Sequence, residues 1–348
     1  MKKILVIRFS AMGDVALTSP IITSVLEQNP NTEIVFLSRA LFAPFFPNHE
    51  NFHFKEADLK GKHKGILGLK RLHKELLKEH KFDAVIDLHD VLRSKILRAY
   101  FKASRIPCYS INKGRDEKKN LLKGKIPFQK LKHTTQRYLD VFNEAGMESK
   151  LNKGPWFKTE KTTTLESFLE KKNVSEKINK WVGIAPFAAH ESKEWPLPKI
   201  KNVIAQFVED GKTVFLFGGG SKEISLLKEI QKKYPKSILV AGNLKLEDEL
   251  NLMSQLDVMI AMDSSNMHLA SLVGIKVVSI WGATHHFLGF GPLNNEENII
   301  EISKETLPCR PCSIYGKLNS ENDKKCAKQA MDMITEETVI NKTNILLA

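Results

Sequence analysis

No apolar run in this chain of 348 residues approaches the roughly 20 residues needed to span a bilayer. The start, Met1-Lys2-Lys3-Ile4-Leu5-Val6-Ile7-Arg8, has too short an apolar stretch before Arg8 for a signal peptide, so it reads as a first strand of a cytoplasmic protein. Cysteine is scarce: Cys108, Cys309, Cys312 and Cys326 are all there is. Cys309-Arg310-Pro311-Cys312 has a zinc-like spacing, but neither a second such pair nor a histidine pair follows, so no metal is expected and the thiols are expected to be reduced. The glycines nowhere form GxGxxG, which weakens a dinucleotide-redox reading, and no cofactor is expected. Aromatics are nearly absent from the basic run between Lys102 and Lys132, where only Tyr109 and Phe128 occur. A single-stranded nucleic-acid reader wants stacking platforms there, so nucleic acid is a poor partner.

What is present is ordinary soluble composition, 42% hydrophobic and 27% charged, in a chain long enough for two domains. The net charge of +13 is lopsided. Through Lys172 there are 33 Lys and Arg against 19 Asp and Glu, while the remainder holds 20 against 21. The excess belongs to the first half, densest at residues 60–81 and 102–132, and implies a polyanionic partner for that half alone. A lysine-rich solvated face is the competing explanation.

Apolar runs alternate with amphipathic segments in the manner of parallel βα units. The first half predicts strands at 4–7, 33–38, 82–88 and 107–111, and helices at 15–28, 70–79 and from Ser94. Residues 112–136 are basic and aperiodic and predict a mobile loop. A linker containing Lys153-Gly154-Pro155 and Thr162-Thr163-Thr164 follows. The second half predicts strands at 181–186, 213–217, 237–241, 258–262 and 276–282. Helices are predicted at 199–209, 223–234 and 246–255, with a last one to Leu347 capped by Thr335. The expected fold is α/β, two doubly wound parallel-sheet domains at 1–155 and 156–330, with 331–348 packing back on the first domain.

The chemistry-bearing residues collect at the carboxyl ends of these strands, where open parallel sheets bind ligands. Asp263-Ser264-Ser265-Asn266-Met267-His268 follows an apolar strand and opens a helix, whose unpaired N–H groups make an anion site. Simple helix capping by Ser264 and Ser265 would leave the same trace. Asp14, after Arg8, Ser10 and Gly13, can accept a proton from a hydroxyl or merely complement a helix dipole. Lys193, beyond Pro186, can neutralise a diphosphate leaving group. Gly218, Gly219 and Gly220 allow close backbone approach, and Glu223 can hold ribose hydroxyls.

The segment from Ile4 to Asp14 resembles the R-x-S-x-x-G-D start of the lipopolysaccharide heptosyltransferases, glycosyltransferase family 9. Lys193-Glu194-Trp195-Pro196 resembles the family's K-x-W-P element, Gly219 to Glu223 its glycine turn, and Asp263 to Ala270 its D-[ST]-G-x-x-H-x-A signature. Trp281-Gly282-Ala283-Thr284 and Cys309-Arg310-Pro311-Cys312 are similar to family segments near the carboxyl end. The resemblance implies a GT-B architecture of two facing Rossmann-like domains and an inverting, metal-free transfer from ADP-L-glycero-β-D-manno-heptose to the phosphorylated lipopolysaccharide inner core. It implies Asp14 as general base and Lys193 as the diphosphate-binding lysine. Donor contacts fall to Pro186, Gly219, Gly220, Glu223, Leu244, Asp263, Ser264, Ser265 and His268, and the acceptor side to Arg8, Ser10 and Gly13. The implied protein is a monomer working at the anionic inner-membrane surface.

Two departures stand out: Ser265 replaces the usual glycine, and Phe187-Ala188-Ala189 replaces a hydroxyl-bearing stretch. Both leave the donor sugar, heptose or hexose, open. A nucleotide-sugar 2-epimerase and a basic nucleic-acid-binding protein are the alternatives.

Overall fold

The computed structural model describes residues 1–154 and 156–348; Pro155 of the predicted linker lies outside the described residues. The chain divides into two compact units, one of residues 1–115 and 132–157 and one of 116–131 and 158–348.

In the first unit β1 (Lys2–Ile7) leads into α1 (Met12–Ala16) and α2 (Ser19–Gln28), then β2 (Thr32–Ser38). A 3-10 turn at Ala40–Phe45, β3 (Phe52–Glu56), α3 (Gly65–Glu79), β4 (Ala84–Asp87), α4 (Leu92–Ala103) and β5 (Cys108–Ser110) follow. The chain then makes α5 (Arg115–Leu122), nearly all of which belongs to the second unit, and returns through α6 (Thr134–Glu144). The five strands are parallel in the order β3-β2-β1-β4-β5. Strands β1, β2 and β4 are central and covered on both faces, which is why they read as unbroken apolar runs. Helix α3 turns Leu69, Leu72 and Leu76 inward at helical spacing.

The second unit opens with α7 (Thr163–Lys171), whose N-cap Thr162 accepts from the Leu165 amide. It continues through β6 (Trp181–Ala185), α8 (Leu197–Glu209), β7 (Thr213–Leu216), α9 (Gly220–Lys233), β8 (Ile238–Leu239) and α10 (Leu246–Met253). Then come β9 (Val258–Met262), α11 (Ser265–Leu272), β10 (Lys276–Trp281), β11 (Ile299–Glu301), α12 (Glu321–Met333) and α13 (Glu336–Leu347). Its parallel sheet has the order β11-β10-β9-β6-β7-β8. Both units are thus doubly wound α/β, the fold class read from the sequence.

Three expectations are corrected. Residues 112–136 are not one mobile loop: they hold α5 and the start of α6, and Leu121, Phe128 and Leu131 pack with Phe287, Leu288 and Phe290 in the second unit. Of the lysines that break the hydrophobic period there, Lys119, Lys123, Lys125, Lys130 and Lys132 are exposed, Lys113 is half-buried, and Lys118 is buried against the Phe290 ring. Helix α13, expected to pack back on the first domain, is part of the second unit: Val339 and Leu347 join its core, against α8, β9 and β10. Finally, Cys309 and Cys326 form a disulfide, while Cys108 and Cys312 are free thiols.

One half-buried acid carries a testable pH dependence. Burial pushes the Glu249 carboxyl on α10 up to about 7. A raised carboxyl pKa means the folded state holds the proton more tightly than the unfolded chain. Its contribution is therefore full below the ordinary carboxylate range and lost as pH rises through 7. Glu249→Gln removes that dependence and is expected to melt higher than the parent at pH 8 by roughly 3 kcal/mol at most, with little gain at pH 4.5. Melting curves at the two pH values check this; equal gains would mean the carboxyl is not the source.

Candidate active site

In each unit the sheet reverses its winding at one point. In the first unit that point lies between β1 and β4, and in the second between β6 and β9. Crevices beyond the carboxyl ends of strands at such switch points are where doubly wound folds hold ligands.

In the first unit, β1 ends at Ile7 and delivers Arg8, Ser10, Gly13 and Asp14 to this position. The Arg8 side chain is buried and pairs through Nη2 with Asp14 Oδ2 at 2.8 Å, while Nη1 donates to the Leu88 carbonyl. The Ala11 amide reaches the same Asp14 oxygen at 3.4 Å, and the Tyr138 hydroxyl donates to the Asp14 carbonyl at 3.3 Å. Asp14 is about one-third exposed, 31% at its side chain, so its carboxylate is oriented yet reachable. From β4 comes His89, whose Nε2 lies 3.3 Å from Ser10 Oγ across the switch point. Burial, with Arg8 and Lys113 nearby, pushes the His89 pKa down to about 3, so this ring is a neutral partner for Ser10. Burial and the charge of Arg8 likewise bring Lys113 down to about 8. Sequence reasoning missed His89 and Lys113, because lone basic residues in loops carry no period.

The second unit sets its residues out along the rim in the order of its strands. Thr284 follows β10, Asp263 follows β9, Lys193 follows β6, Glu223 follows β7 and Leu244 follows β8. Four strand spacings make this row about 19 Å long. At the switch point Lys193 Nζ pairs with Asp263 Oδ2 at 2.7 Å and donates to the Asp263 carbonyl at 3.3 Å. The Thr284 hydroxyl donates to the same Asp263 Oδ2 at 2.7 Å. Pro186 is buried at the end of β6, and Trp195 fixes the following loop by donating from its indole to the Ile334 carbonyl at 3.2 Å. Gly316, at φ +100°, lies over Lys193; a Cβ there would stand 2.9 Å from Lys193 Cε.

The helix start after Asp263 departs from the capping explanation. Ser264 occupies the N-cap position in extended backbone, but its side chain caps nothing, and its Oγ is buried without a hydrogen-bond partner among the described residues. Ser265 is the first helical residue and His268 is buried on the same helix. On the next strand end, Gly220 opens α9 at φ +77°, and Glu223 Oε2 accepts from the Gly219 amide at 2.8 Å. Burial raises the Glu223 pKa. Leu244, half-buried, precedes α10.

A residue read only as part of a motif organises this rim. Arg310 is fully buried and donates to the carbonyls of Gly282 at 2.7 Å, Thr284 at 3.0 Å and Trp281 at 3.3 Å, as well as to Ile302. It also pairs with Glu301 at 3.2 Å. A five-donor guanidinium can gather a ring of carbonyls in this way, which an ammonium cannot. By fixing the turn after β10, Arg310 fixes Thr284, and Thr284 fixes Asp263. The Cys309–Cys326 disulfide beside it ties this loop to α12, which packs on the 3-10 turn Glu191–Lys193.

His285, His286 and Glu301 are the one group with metal-ligand spacing among the described residues. Their hydrogen bonds argue against that use. His285 Nδ1 accepts from the Phe287 amide, which puts the ring proton on Nε2, pointing at Glu301 Oε1 at 3.1 Å. Arg310 occupies the other carboxylate oxygen. The cluster also holds Glu301 well below the usual carboxylate range against the opposing effect of burial, through its bonds to His285 and His286 and the charge of Arg310.

Two doubly wound parallel-sheet units fit the GT-B class of glycosyltransferases, and solved structures similar to this chain are of that class. A family 9 glycosyltransferase from Veillonella parvula superposes with TM-score 0.76 at 20% identity, over 99% of this chain and 97% of that one. E. coli ADP-heptose LPS heptosyltransferase II gives 0.70 at 17%, over 100% and 98%. In sequence the chain is 22% identical to the Haemophilus influenzae lipopolysaccharide core heptosyltransferase OpsX, across 98% of this chain and 96% of that protein. It is 25% identical to a Campylobacter jejuni lipooligosaccharide heptosyltransferase 2 across 96% and 95%. Residues 70–319 match glycosyltransferase family 9 (heptosyltransferase), and the chain belongs to that family. It is a glycosyltransferase.

Proposed function

We propose that the protein moves a heptose, with inversion and without a metal ion, from ADP-L-glycero-β-D-manno-heptose to the lipopolysaccharide inner core. The observation that carries this reading is the Lys193–Asp263 pair at the switch point of a family 9 chain. Relatives named as lipopolysaccharide core and lipooligosaccharide heptosyltransferases, and an E. coli heptosyltransferase WaaC of the same fold solved with ADP, support the donor and acceptor. In this reading residues 1–155 serve the acceptor, 156–330 the donor, and the enzyme works as a monomer at the anionic inner-membrane surface, drawn by its basic first half.

Asp14 takes the proton of the acceptor hydroxyl as its oxygen attacks the anomeric carbon, and the bond from that carbon to the diphosphate oxygen breaks. Lys193 and the amides opening α11 meet the charge that gathers on the departing ADP. Asp263, held by Lys193 and Thr284, presents its remaining oxygen to the sugar hydroxyls. Glu223 and Leu244, further along the rim, take the nucleoside. Arg8 keeps Asp14 aimed.

A panel of ADP-, GDP- and UDP-sugars offered with lipid A–Kdo acceptors, read by product mass, tests the assignment. The expected product gains one heptose from the ADP donor only. Turnover confined to a hexose donor, or conversion of the donor with no acceptor present, replaces this reading with a hexosyltransferase or a 2-epimerase.

A further inference from the structure

Exposed large apolar side chains are scarce on the first unit, and their positions are not random. Apart from Met1 they are Leu41, Ile66, Leu67 and Leu92, at 52%, 61%, 82% and 75% exposure. Leu41 lies in the 3-10 turn after β2, Ile66 and Leu67 open α3 after β3, and Leu92 opens α4 after β4. In a parallel sheet these are all the carboxyl-end rim, the same end that carries Arg8 and Asp14, and α3 packs beside α4. Single exposed leucines are ordinary, but their confinement to one rim is not.

The local fold holds two of them outward. The Asp58 carboxylate accepts from the Gly61 and Lys62 amides at 2.8 and 2.9 Å, and buried His63 accepts from the Asp58 amide and pairs with Glu75 at 3.2 Å. Gly68 closes on this turn so tightly that a Cβ would stand 2.3 Å from the His63 carbonyl carbon. Leu69, Leu72 and Leu76 then take the core, and Ile66 and Leu67 are left in water on a preformed tip. Exposed cations flank them: Lys60, Lys64, Lys70, Arg71 and, at α4, Arg93, with Lys62 paired to Glu75 at 2.9 Å. Of the acids of this rim, Asp58 is engaged by backbone amides and Asp90 by Arg98 and Lys95, while Glu56 at the end of β3 is exposed among a larger number of cations.

An apolar tip ringed by lysines matches a bilayer of anionic phospholipid: the side chains enter the acyl boundary and the ammonium groups stay at the phosphates. We propose that this rim, led by Ile66 and Leu67, is the surface by which the protein docks on an anionic membrane. It gives the membrane partner named above a definite address and sets the Asp14 end of the first unit toward the lipid.

The test is flotation of the full chain with phosphatidylglycerol–phosphatidylcholine vesicles against phosphatidylcholine alone, with no donor or acceptor present, so its outcome is independent of the proposed transfer reaction. The parent is expected to float only with the anionic vesicles. Ile66→Ser with Leu67→Ser is expected to weaken that binding about tenfold or more, and Lys60→Gln with Lys64→Gln and Lys70→Gln similarly. Ile178→Ser, an exposed apolar position of the second unit, is expected to bind as the parent does. Melting temperature and turnover with detergent-dispersed acceptor report that the variants are folded. A parent that stays with the soluble fraction overturns the proposal, as does an Ile66/Leu67 variant that floats like the parent.

Discussion

Asp14→Ala is expected to lower transfer by about 10²–10⁴-fold, the usual contribution of a positioned general base, while ADP binds as before. The residue lies in the first unit, and every donor contact proposed here lies in the second. Its carboxylate is paired with buried Arg8 at 2.8 Å, so removing it also leaves a buried cation without that partner. Part of the loss then comes from the Arg8 side chain, which loses its anchor. Asp14→Asn separates the two effects, since the amide keeps an oxygen for Arg8 and loses only the basicity. The two variants should be equally inactive, with the asparagine form melting closer to the parent. Single-turnover rates with calorimetric ADP titration check this, and wild-type turnover in either variant would remove Asp14 from the chemistry.

The second large effect concerns Lys193. Its ammonium already spends two contacts on Asp263, one to the side chain at 2.7 Å and one to the carbonyl at 3.3 Å. Lys193→Ala is expected to weaken ADP binding and cut kcat/KM by roughly 10²–10³, because the charge developing on the diphosphate loses its counterpart. Lys193→Arg should rescue little: the planar fork is longer and cannot sit under Gly316 as the ammonium does. A cycle with Asp263→Asn measures the coupling of the pair directly. Unchanged donor affinity and rate in Lys193→Ala would place the leaving-group stabilisation elsewhere.

The central strands were readable because burial on both faces leaves no polar alternation; Glu33 to Ser38 and Val258 to Met262 announce themselves. Strand β3 was not, because Phe-His-Phe-Lys-Glu at a sheet edge is too polar and too short. Helices α5 and α12 are rich in charge and carry little apolar stripe, so their existence depends on partners distant in sequence. The site shows the same division. Asp263, Lys193 and Asp14 sit at strand ends and were legible there. Thr284 and Arg310 were visible only as parts of a motif, since their roles lie in carbonyl groups that the fold gathers from residues 281–302. The Cys309–Cys326 pairing could not be read either: the scarce cysteines were expected to stay reduced, and the two partners are brought together only by the fold.

Segment 116–131 has a place in time as well as in space. Its apolar residues Leu121, Phe128 and Leu131 find their partners at 287–290, roughly 160 residues later in the chain. At ribosomal speeds of about 5–20 residues per second, the nascent chain carries this greasy, lysine-rich stretch uncovered for something like 10–30 s. The lysines that spoil its helical period keep it in solution while it waits, much as gatekeeper charges do beside aggregation-prone strands. The charge density of this segment thus bears on synthesis as well as on the folded surface.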